Sequence, residues 1–193
     1  TDVYSNGTVA VGYQALYTQN YGSATDSYNT ALGYTAGYAV TTGTSNTFVG
    51  ALSGDAQTTA ANSSFVGYNS GSANTTGANN TAMGANALTA NTTGGSITAF
   101  GSSALTANTE AANCVGIGAY ALTANTTGAN NVACGFSALA ANTTAANNSA
   151  FGAFTLDANT TGAQNTAYGY AALGANTTAS YNDAFGFQAL DAC

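Results

Sequence analysis

The chain contains no lysine, arginine or histidine, and its seven acidic residues give a formal net charge of −7. Charged residues make up 4% of the sequence, against about 25% in an average soluble domain. Because no side chain can neutralise a phosphate, we exclude nucleic acids and anionic membranes as partners. The same absence removes every trypsin-type cleavage site. We therefore expect an extracellular protein, on a cell surface or a virion surface.

Catalytic groups are also scarce. Without basic side chains, a serine or cysteine nucleophile has no ordinary base and a metal ion has no imidazole ligand. Asp157 and Asp191 occupy equivalent positions two repeats apart, which stacked strands would place about 10 Å from each other. That separation is at the upper end for an inverting glycosidase, but other repeats carry Asp55 or a threonine there, so we favour solvated charges. We predict no enzyme, no catalytic residue, no cofactor and no metal site.

Long apolar runs are missing too, so the sequence predicts no transmembrane segment, no signal peptide and no insertion into a membrane. The three cysteines, Cys114, Cys134 and Cys193, stand at different positions of the repeat described below. This excludes a ladder of stacked disulfides. Cys134 replaces an apolar residue and is interpreted as a small hydrophobic side chain. A Cys114–Cys134 disulfide stays open as the alternative.

One strict regularity is present: a glycine returns every 17 residues. This glycine column consists of Gly33, Gly50, Gly67, Gly84, Gly101, Gly118, Gly135, Gly152, Gly169 and Gly186. Gly12 precedes Gly33 by 21 residues, which indicates a four-residue insertion between Tyr17 and Asp26. A short, strict period is typical of solenoids, and the absence of helix-period patterning favours stacked short parallel strands.

The sequence therefore predicts an all-β fold, a single parallel β-solenoid (β-roll) of about eleven 17-residue coils. It forms one domain over residues 1–193, with variant coils in 1–79 and regular coils in 80–193. No segment has the heptad pattern of a coiled coil.

An apolar residue comes directly before nearly every glycine, and we predict that this apolar column faces the core. Its members are Val11, Leu32, Val49, Val66, Met83, Phe100, Ile117, Cys134, Phe151, Tyr168 and Phe185. Neighbours in a strand point to opposite faces, so the small residue two before each glycine is expected to face outward with the glycine.

These outward positions form a predicted small-residue stripe through which copies would self-associate. The stripe comprises Ala82, Gly84, Ala99, Gly101, Ala133, Gly135, Ala150, Gly152, Ala167, Gly169, Ala184 and Gly186. Glycine weakens a strand unless another backbone approaches closely, which is why we read the stripe as a packing surface. The alternative is a tight turn repeated in each coil.

A leucine column, four residues after each glycine, is predicted to form the second core wall. It contains Leu16, Leu88, Leu105, Leu122, Leu139, Leu156, Leu173 and Leu190. Early coils have Gly37, Gly54 and Gly71 there, and two of these coils carry Phe48 or Phe65 in the small-residue column. This pattern indicates an exchange of large for small within the coil.

Most coils close through the motif Ala-Asn-Thr-Thr-Gly or a relative of it, whose stacked asparagine amides can hydrogen-bond from coil to coil. The sequence also offers N-glycosylation acceptors at Asn6, Asn62, Asn74, Asn79, Asn91, Asn125, Asn142, Asn147, Asn159 and Asn176. They would place sugars along one edge of a secreted rod. The alternative, which we favour, is that Asn-Thr-Thr is simply good turn chemistry.

The units NTAMGANAL, NVACGFSAL, NSAFGAFTL and NTAYGYAAL resemble the head repeats of trimeric autotransporter adhesins, and still more the NTAVGYQAL-type arrays of phage tail fibres. The resemblance covers nearly the whole chain but rests on a short motif. It implies a parallel β-roll, often trimeric, used for attachment or as a fibre shaft. Adhesin heads usually have shorter coils and a coiled-coil stalk.

Three functions follow as expectations. The first is a structural extracellular fibre or shaft that self-associates, as a homo-oligomer or filament, through its ends or the small-residue stripe. The second is an adhesin or tail-fibre module that binds a glycan or a cell surface. Its aromatic platform would use the early tyrosines Tyr4, Tyr13, Tyr17, Tyr21, Tyr28, Tyr34 and Tyr38.

The third is an ice-binding solenoid. The paired threonines that repeat at coil spacing are Thr92 and Thr93, Thr126 and Thr127, Thr143 and Thr144, Thr160 and Thr161, and Thr177 and Thr178. Adjacent threonines point to opposite faces of a strand, whereas a flat ice-binding face would need Thr-x-Thr.

Overall fold

A computed structural model describes residues 5–191 of the chain. Its thirteen strands are two or three residues long. They are β1 (Ser5–Asn6), β2 (Val9–Val11), β3 (Thr25–Asp26), β4 (Thr30–Leu32), β5 (Thr47–Val49), β6 (Ser64–Val66), β7 (Thr81–Met83), β8 (Thr98–Phe100), β9 (Val115–Ile117), β10 (Val132–Cys134), β11 (Ser149–Phe151), β12 (Thr166–Tyr168) and β13 (Asp183–Phe185). No helix occurs in this described part of the chain.

Eleven of these strands form one parallel sheet in chain order, with one strand per coil. From β4 onward each residue pairs with the residue 17 positions later, as in Thr81 with Thr98 and Ala82 with Ala99. Val9 pairs with Thr30 across the longer first interval. The structure is thus a parallel β-solenoid with 17-residue coils, which confirms the predicted fold class.

The first coil contains the predicted extra residues. The backbone N–H of Asn20 still donates to the carbonyl of Thr41, its equivalent in the next coil. The chain is back in step at Tyr28, which has the same left-handed backbone conformation as Ser45. The extra residues therefore lie between Asn20 and Tyr28. This segment contains β3, which pairs with β1 in a separate two-stranded sheet.

Each coil turns at residues in the left-handed region of backbone space. In one regular coil these are Asn79, Asn86 and Leu88, with φ of 61°, 57° and 56°. Such a conformation is costly for a branched residue such as leucine, so the surrounding structure must impose it. Here the N–H of Leu88 donates to the carbonyl of Ala104 in the next coil at 2.9 Å. Coil-to-coil hydrogen bonding thus continues through the corners as well as the strands.

The orientation predicted for the strands is wrong. Ala82 and Ala99 are fully buried, whereas Met83 and Phe100 beside them are 40% and 50% exposed. The small-residue column therefore faces the core, and the apolar column faces outward. The alanines of the predicted small-residue stripe are all buried: Ala82, Ala99, Ala133, Ala150, Ala167 and Ala184.

The glycines of the stripe lie close to the backbone of the neighbouring coil. A Cβ built on Gly101 would lie 2.6 Å from the carbonyl oxygen of Gly118 in the next coil. The same column therefore both turns the chain, with φ of 136° at Gly101, and lets successive backbones approach closely. The corresponding members are Gly84, Gly101, Gly135, Gly152 and Gly169, while Gly186, in the last described coil, meets no atom within 4 Å.

The interior of each coil is narrow, and this explains the inversion. The leucine column lies inside, with Leu88 and Leu105 fully buried, so only a small residue fits opposite it on the strand. Its member in the last described coil, Leu190, is 44% exposed, against the prediction. Where glycine replaces leucine, Phe48 and Phe65 occupy the space and are also fully buried. The predicted exchange of large for small is therefore confirmed.

We expect this exchange to be reversible by mutation. A Cβ on Gly71 would lie 2.6 Å from the Phe65 ring, so Gly71→Leu alone should overpack the coil by about 1–3 kcal/mol. Phe65→Ala alone should cost about 3–5 kcal/mol. The double variant recreates a regular coil, and urea unfolding should show it to be more stable than either single variant. Additive losses in the double variant would contradict this packing.

Candidate functional site

Most of the large apolar side chains that the described residues expose lie along the outer surface of the eleven-stranded sheet. We define the outer sheet face as the apolar column together with the residue that follows each glycine. Phe185 and Phe187 are 68% and 72% exposed. The other large exposed members are Val11, Tyr13, Leu32, Tyr34, Tyr68, Met83, Phe100, Ile117, Phe136, Tyr168 and Tyr170. Sequence reasoning missed this face because it placed the apolar column inside.

Aromatic rings on this face stack from coil to coil. The centroids of Phe151 and Tyr168 are 4.6 Å apart with rings 4° from parallel, and Tyr168 stacks on Phe185 at 5.2 Å. Tyr170 and Phe187 form a parallel stack beside them at 5.4 Å. Ring stacking adds to strand pairing, and it holds the aromatic side chains in a fixed outward row.

The outer sheet face carries no charge in the apolar column. Asp183 in β13 is the one carboxylate on the eleven-stranded sheet, as far as residues 5–191 are concerned. Asp55 and Asp157 lie past the leucine column, and Glu110 lies in the threonine turn. The acidic side chains of the described coils are therefore mostly on other sides of the rod.

Asp157 and Asp191 approach each other more closely than the predicted 10 Å. The coil between them has Gly174 at the equivalent position, and its missing Cβ would lie 2.6 Å from Oδ1 of Asp191 and 3.4 Å from Oδ1 of Asp157. Partial burial raises the pKa of Asp157, opposed by backbone hydrogen bonds and assisted by the charge of Asp191. The two side chains lean over the glycine, which spacing along the stack could not reveal.

A pH dependence follows for Asp157. Because its pKa is raised in the folded state, the folded protein holds this proton more tightly than the unfolded chain does. Its contribution to stability is greatest below the unfolded pKa of about 3.9 and is lost as the pH rises through the folded pKa. Asp157→Asn should therefore raise the urea midpoint at pH 7 more than at pH 3. The control is Glu110→Gln, which removes an exposed carboxylate. If Asp157→Asn changed the urea midpoint equally at pH 7 and pH 3, the raised pKa of Asp157 would be contradicted.

A buried asparagine ladder runs along the inside of the coils, as predicted from the turn motif. Asn91, Asn108 and Asn125 are fully buried. The amide of each donates to the side-chain oxygen one coil earlier, at 2.6 Å for Asn91 to Asn74, 2.8 Å for Asn108 to Asn91 and 3.3 Å for Asn125 to Asn108. Asn125 also donates to the carbonyl of Gly128 at 2.9 Å, which closes its own turn.

Most of the predicted N-glycosylation acceptors are buried as members of this ladder. Asn74, Asn91, Asn125, Asn142, Asn159 and Asn176 are buried, and their amide nitrogens are hydrogen-bonded within the coil stack. A sugar cannot be attached to these nitrogens in the folded protein. Asn6, Asn62, Asn79 and Asn147 are exposed, so glycosylation there stays a prediction.

The threonine pairs are arranged as a turn. The hydroxyl of Thr92 donates to the carbonyl of Thr109 at 3.1 Å, and that of Thr126 donates to Thr143 at 3.0 Å. The first threonine of four of these pairs thus donates to a carbonyl of the next coil, and the second, such as Thr93, is exposed. Ice binding through these pairs would have to use the second threonine alone, and thermal hysteresis remains its test.

The early tyrosines form two stacked pairs on the first two coils. Tyr13 and Tyr34 are 5.3 Å apart, and Tyr17 and Tyr38 are 5.5 Å apart with rings 2° from parallel. Tyr28 is exposed at a corner. Tyr21 is turned inward, where its hydroxyl donates to the carbonyl of Gly43 at 2.6 Å, and Tyr4 lies outside the described residues.

Cys114 and Cys134 are both free thiols, so the alternative of a disulfide between them is wrong. Cys114 is buried in a polar column of the interior, where its Sγ contacts the carbonyl of Gly128 at 3.3 Å. Cys134 belongs to the apolar column and faces outward with it, which corrects its assignment to the core. Burial raises the pKa of both thiols. Cys193 lies outside the described residues.

Comparison with known proteins leaves the solenoid as the main guide to function: the chain matches no family model, no curated protein and no solved structure. Within residues 5–191, no group of three or more potential ligands could hold a metal ion. The same residues include no helix of the length and apolarity needed to cross a membrane.

Proposed function

We propose that this protein is a structural extracellular fibre or shaft, in which the stack of coils is itself the function. The observation that carries the proposal is the continuity of bonding along the rod. Each coil is joined to the next by strand pairing, by corner hydrogen bonds such as Leu88 to Ala104, and by the buried asparagine ladder. A long rod that is bonded continuously in this way is stiff, and a shaft needs no more than length and stiffness.

Self-association through the solenoid ends is part of this proposal. Within the described sheet, β2 pairs only with β4 and β13 pairs only with β12, and an edge strand of this kind can pair with a strand of another copy. Gly186 has the same backbone conformation as the other members of the glycine column, with φ of 128°, although no atom lies within 4 Å of its Cβ position. This conformation supports stacking of a further coil on the last one.

Electron microscopy of the purified chain tests the fibre proposal. Eleven coils at about 4.8 Å each give a rod of about 50 Å. End-to-end assembly predicts filaments whose length grows with protein concentration in steps of about that size. Discrete rods that never lengthen would contradict end-to-end assembly.

A second candidate is an adhesin or phage tail-fibre module, the use implied by the resemblance of the repeats. The stacked tyrosine pairs Tyr13–Tyr34 and Tyr17–Tyr38 favour it, because aromatic rings on a rigid scaffold can contact the apolar faces of sugars. Binding to a panel of surface glycans that is lost in Tyr17→Ala but kept in the exposed Tyr181→Ala would support this function. Absence of binding across the panel would count against it.

A further inference from the structure

We propose that the outer sheet face is a lateral interface between two copies of this chain. The proposal rests on the fibre function and names the partner that makes a thicker shaft. Its starting point is the unusual exposure of a parallel sheet. Parallel sheets are ordinarily covered on both faces, yet here only the inner face is packed, where the strand alanines form one buried cluster with the leucine column.

The exposed side chains are large and contiguous. Met83, Phe100 and Ile117 lie on three successive strands, and Tyr168 and Phe185 on another two, and each is at least 40% exposed. The apolar column between these groups consists of Cys134 and Phe151, which are half-buried. Single exposed apolar residues are normal in soluble proteins, but a continuous patch of this kind marks an interaction surface.

The area of the patch is sufficient for a stable pair. Eleven strands at about 4.8 Å and a width of about 15 Å, the apolar column plus the residues beyond the glycines, give roughly 750 Å² on each copy. Two copies would bury about 1,500 Å² in total, within the range of specific protein–protein interfaces.

The periodicity of the face indicates a second copy as its occupant. Large side chains recur once per coil, at the strand spacing of the sheet. A second copy has the same spacing, so its side chains can interdigitate with this ladder along the whole rod. A partner with a different axial repeat would lose register after a few coils.

The charge distribution also favours a second copy. A basic partner would find no carboxylate in the apolar column to pair with. Two copies, each carrying −7, can meet here because Asp55, Glu110 and Asp157 lie in other columns. Asp183 is the exception and lies on the last strand, β13.

Analytical ultracentrifugation of the full chain tests the interface. The wild-type chain should sediment as a species of at least twice the 18.8 kDa monomer mass. Phe100→Asp with Ile117→Asp places two charges on adjacent strands of the outer sheet face and should weaken association about 100-fold. If the wild-type chain sedimented as a monomer at a concentration on the order of 100 μM, a Kd too weak for a shaft, the proposal would be overturned.

The matched control adds the same two charges elsewhere. Thr127 and Thr144 are exposed members of the threonine turn in adjacent coils, and changing both to Asp should alter association by less than about threefold. Equal weakening by the two pairs would overturn the proposal. The double variant Phe100→Thr with Ile117→Thr replaces both side chains with a good strand residue, and it serves as the test if the aspartate variant fails to fold. It should weaken association at least about tenfold. Unchanged association would overturn the proposal.

Failure of this inference can be told from failure of the fibre function by electron microscopy. Filaments that are one chain thick would leave end-to-end assembly standing and overturn the lateral interface. Paired rods that never lengthen would support the lateral interface while contradicting end-to-end assembly.

Discussion

Gly101→Ala is expected to destabilise the solenoid by more than about 4 kcal/mol. The added Cβ would lie 2.6 Å from both the carbonyl carbon and the carbonyl oxygen of Gly118. These are backbone atoms of the next coil, which are held by the strand pairing of Phe100 with Ile117 and cannot rotate away. To make room, the two coils would have to separate. Urea unfolding followed by circular dichroism measures the loss.

Gly186→Ala is the matched control for this prediction. Gly186 has a similar φ, 128° against 136° at Gly101, so both variants bear the strain of a positive φ, about 1–3 kcal/mol. Within a single chain, Gly101 has a neighbouring coil within reach of the new Cβ and Gly186 has none, so the two variants are compared as unassembled protein. The difference between the two variants therefore reports the close approach of coils, and equal losses would contradict that role of the glycine column.

Asn125→Asp should cost about 3–5 kcal/mol at neutral pH, the second large effect. The amide of Asn125 donates to Asn108 and to the carbonyl of Gly128, and its oxygen accepts from Asn142 at 2.8 Å. A carboxylate has the same shape but no donor, so it would face two acceptors inside a fully buried ladder. Its pKa should be raised in the folded state, which means that part of the lost stability returns as the pH falls.

A second row of asparagines, on the surface of the rod, supplies the control for Asn125→Asp. Asn130 accepts from Asn113 at 3.2 Å and donates to Asn147 at 3.3 Å, in an exposed row. Its φ of 58° is tolerated by both asparagine and aspartate. Asn130→Asp should cost under about 1 kcal/mol without recovery at low pH. A comparable loss at both sites would mean that the buried ladder does not hold the coils together.

The fold could be predicted because the glycine period and the turn motif leave little choice. A 17-residue interval with one short strand and Asn-Thr-Thr turns permits stacked coils, and these coils bring equivalent asparagines together. Burial of Asn74 and Asn91 follows from the same geometry, and for that reason acceptor motifs in the turn do not indicate accessible acceptors.

The direction of the side chains could not be read from alternation alone. A three-residue strand such as Thr81–Met83 offers two equivalent assignments, and hydrophobicity favoured the wrong one. The exchange of large for small between the small-residue column and the leucine column does indicate the correct direction. Phe65 appears where the leucine column has Gly71, which means that both columns fill the same interior. The apolar column between them must then face outward.

Distances between side chains could not be predicted where the side chains extend along the axis of the rod. Strand spacing gave about 10 Å for Asp157 and Asp191, yet both carboxylates extend over Gly174. The stacked rings of Phe151 and Tyr168 likewise depend on the outward orientation of their column. The candidate site therefore emerged from the structure, although its residues were already visible in the sequence as a periodic column.

Cryo-electron microscopy of the assembled protein would show whether this chain is a solenoid shaft with its large apolar side chains outside. We expect rods with a strand repeat of about 4.8 Å. Density for Phe100, Tyr168 and Phe185 should lie outside each coil and against a second rod. Rods with these side chains inside the coil, or compact particles without an axial repeat, would contradict it.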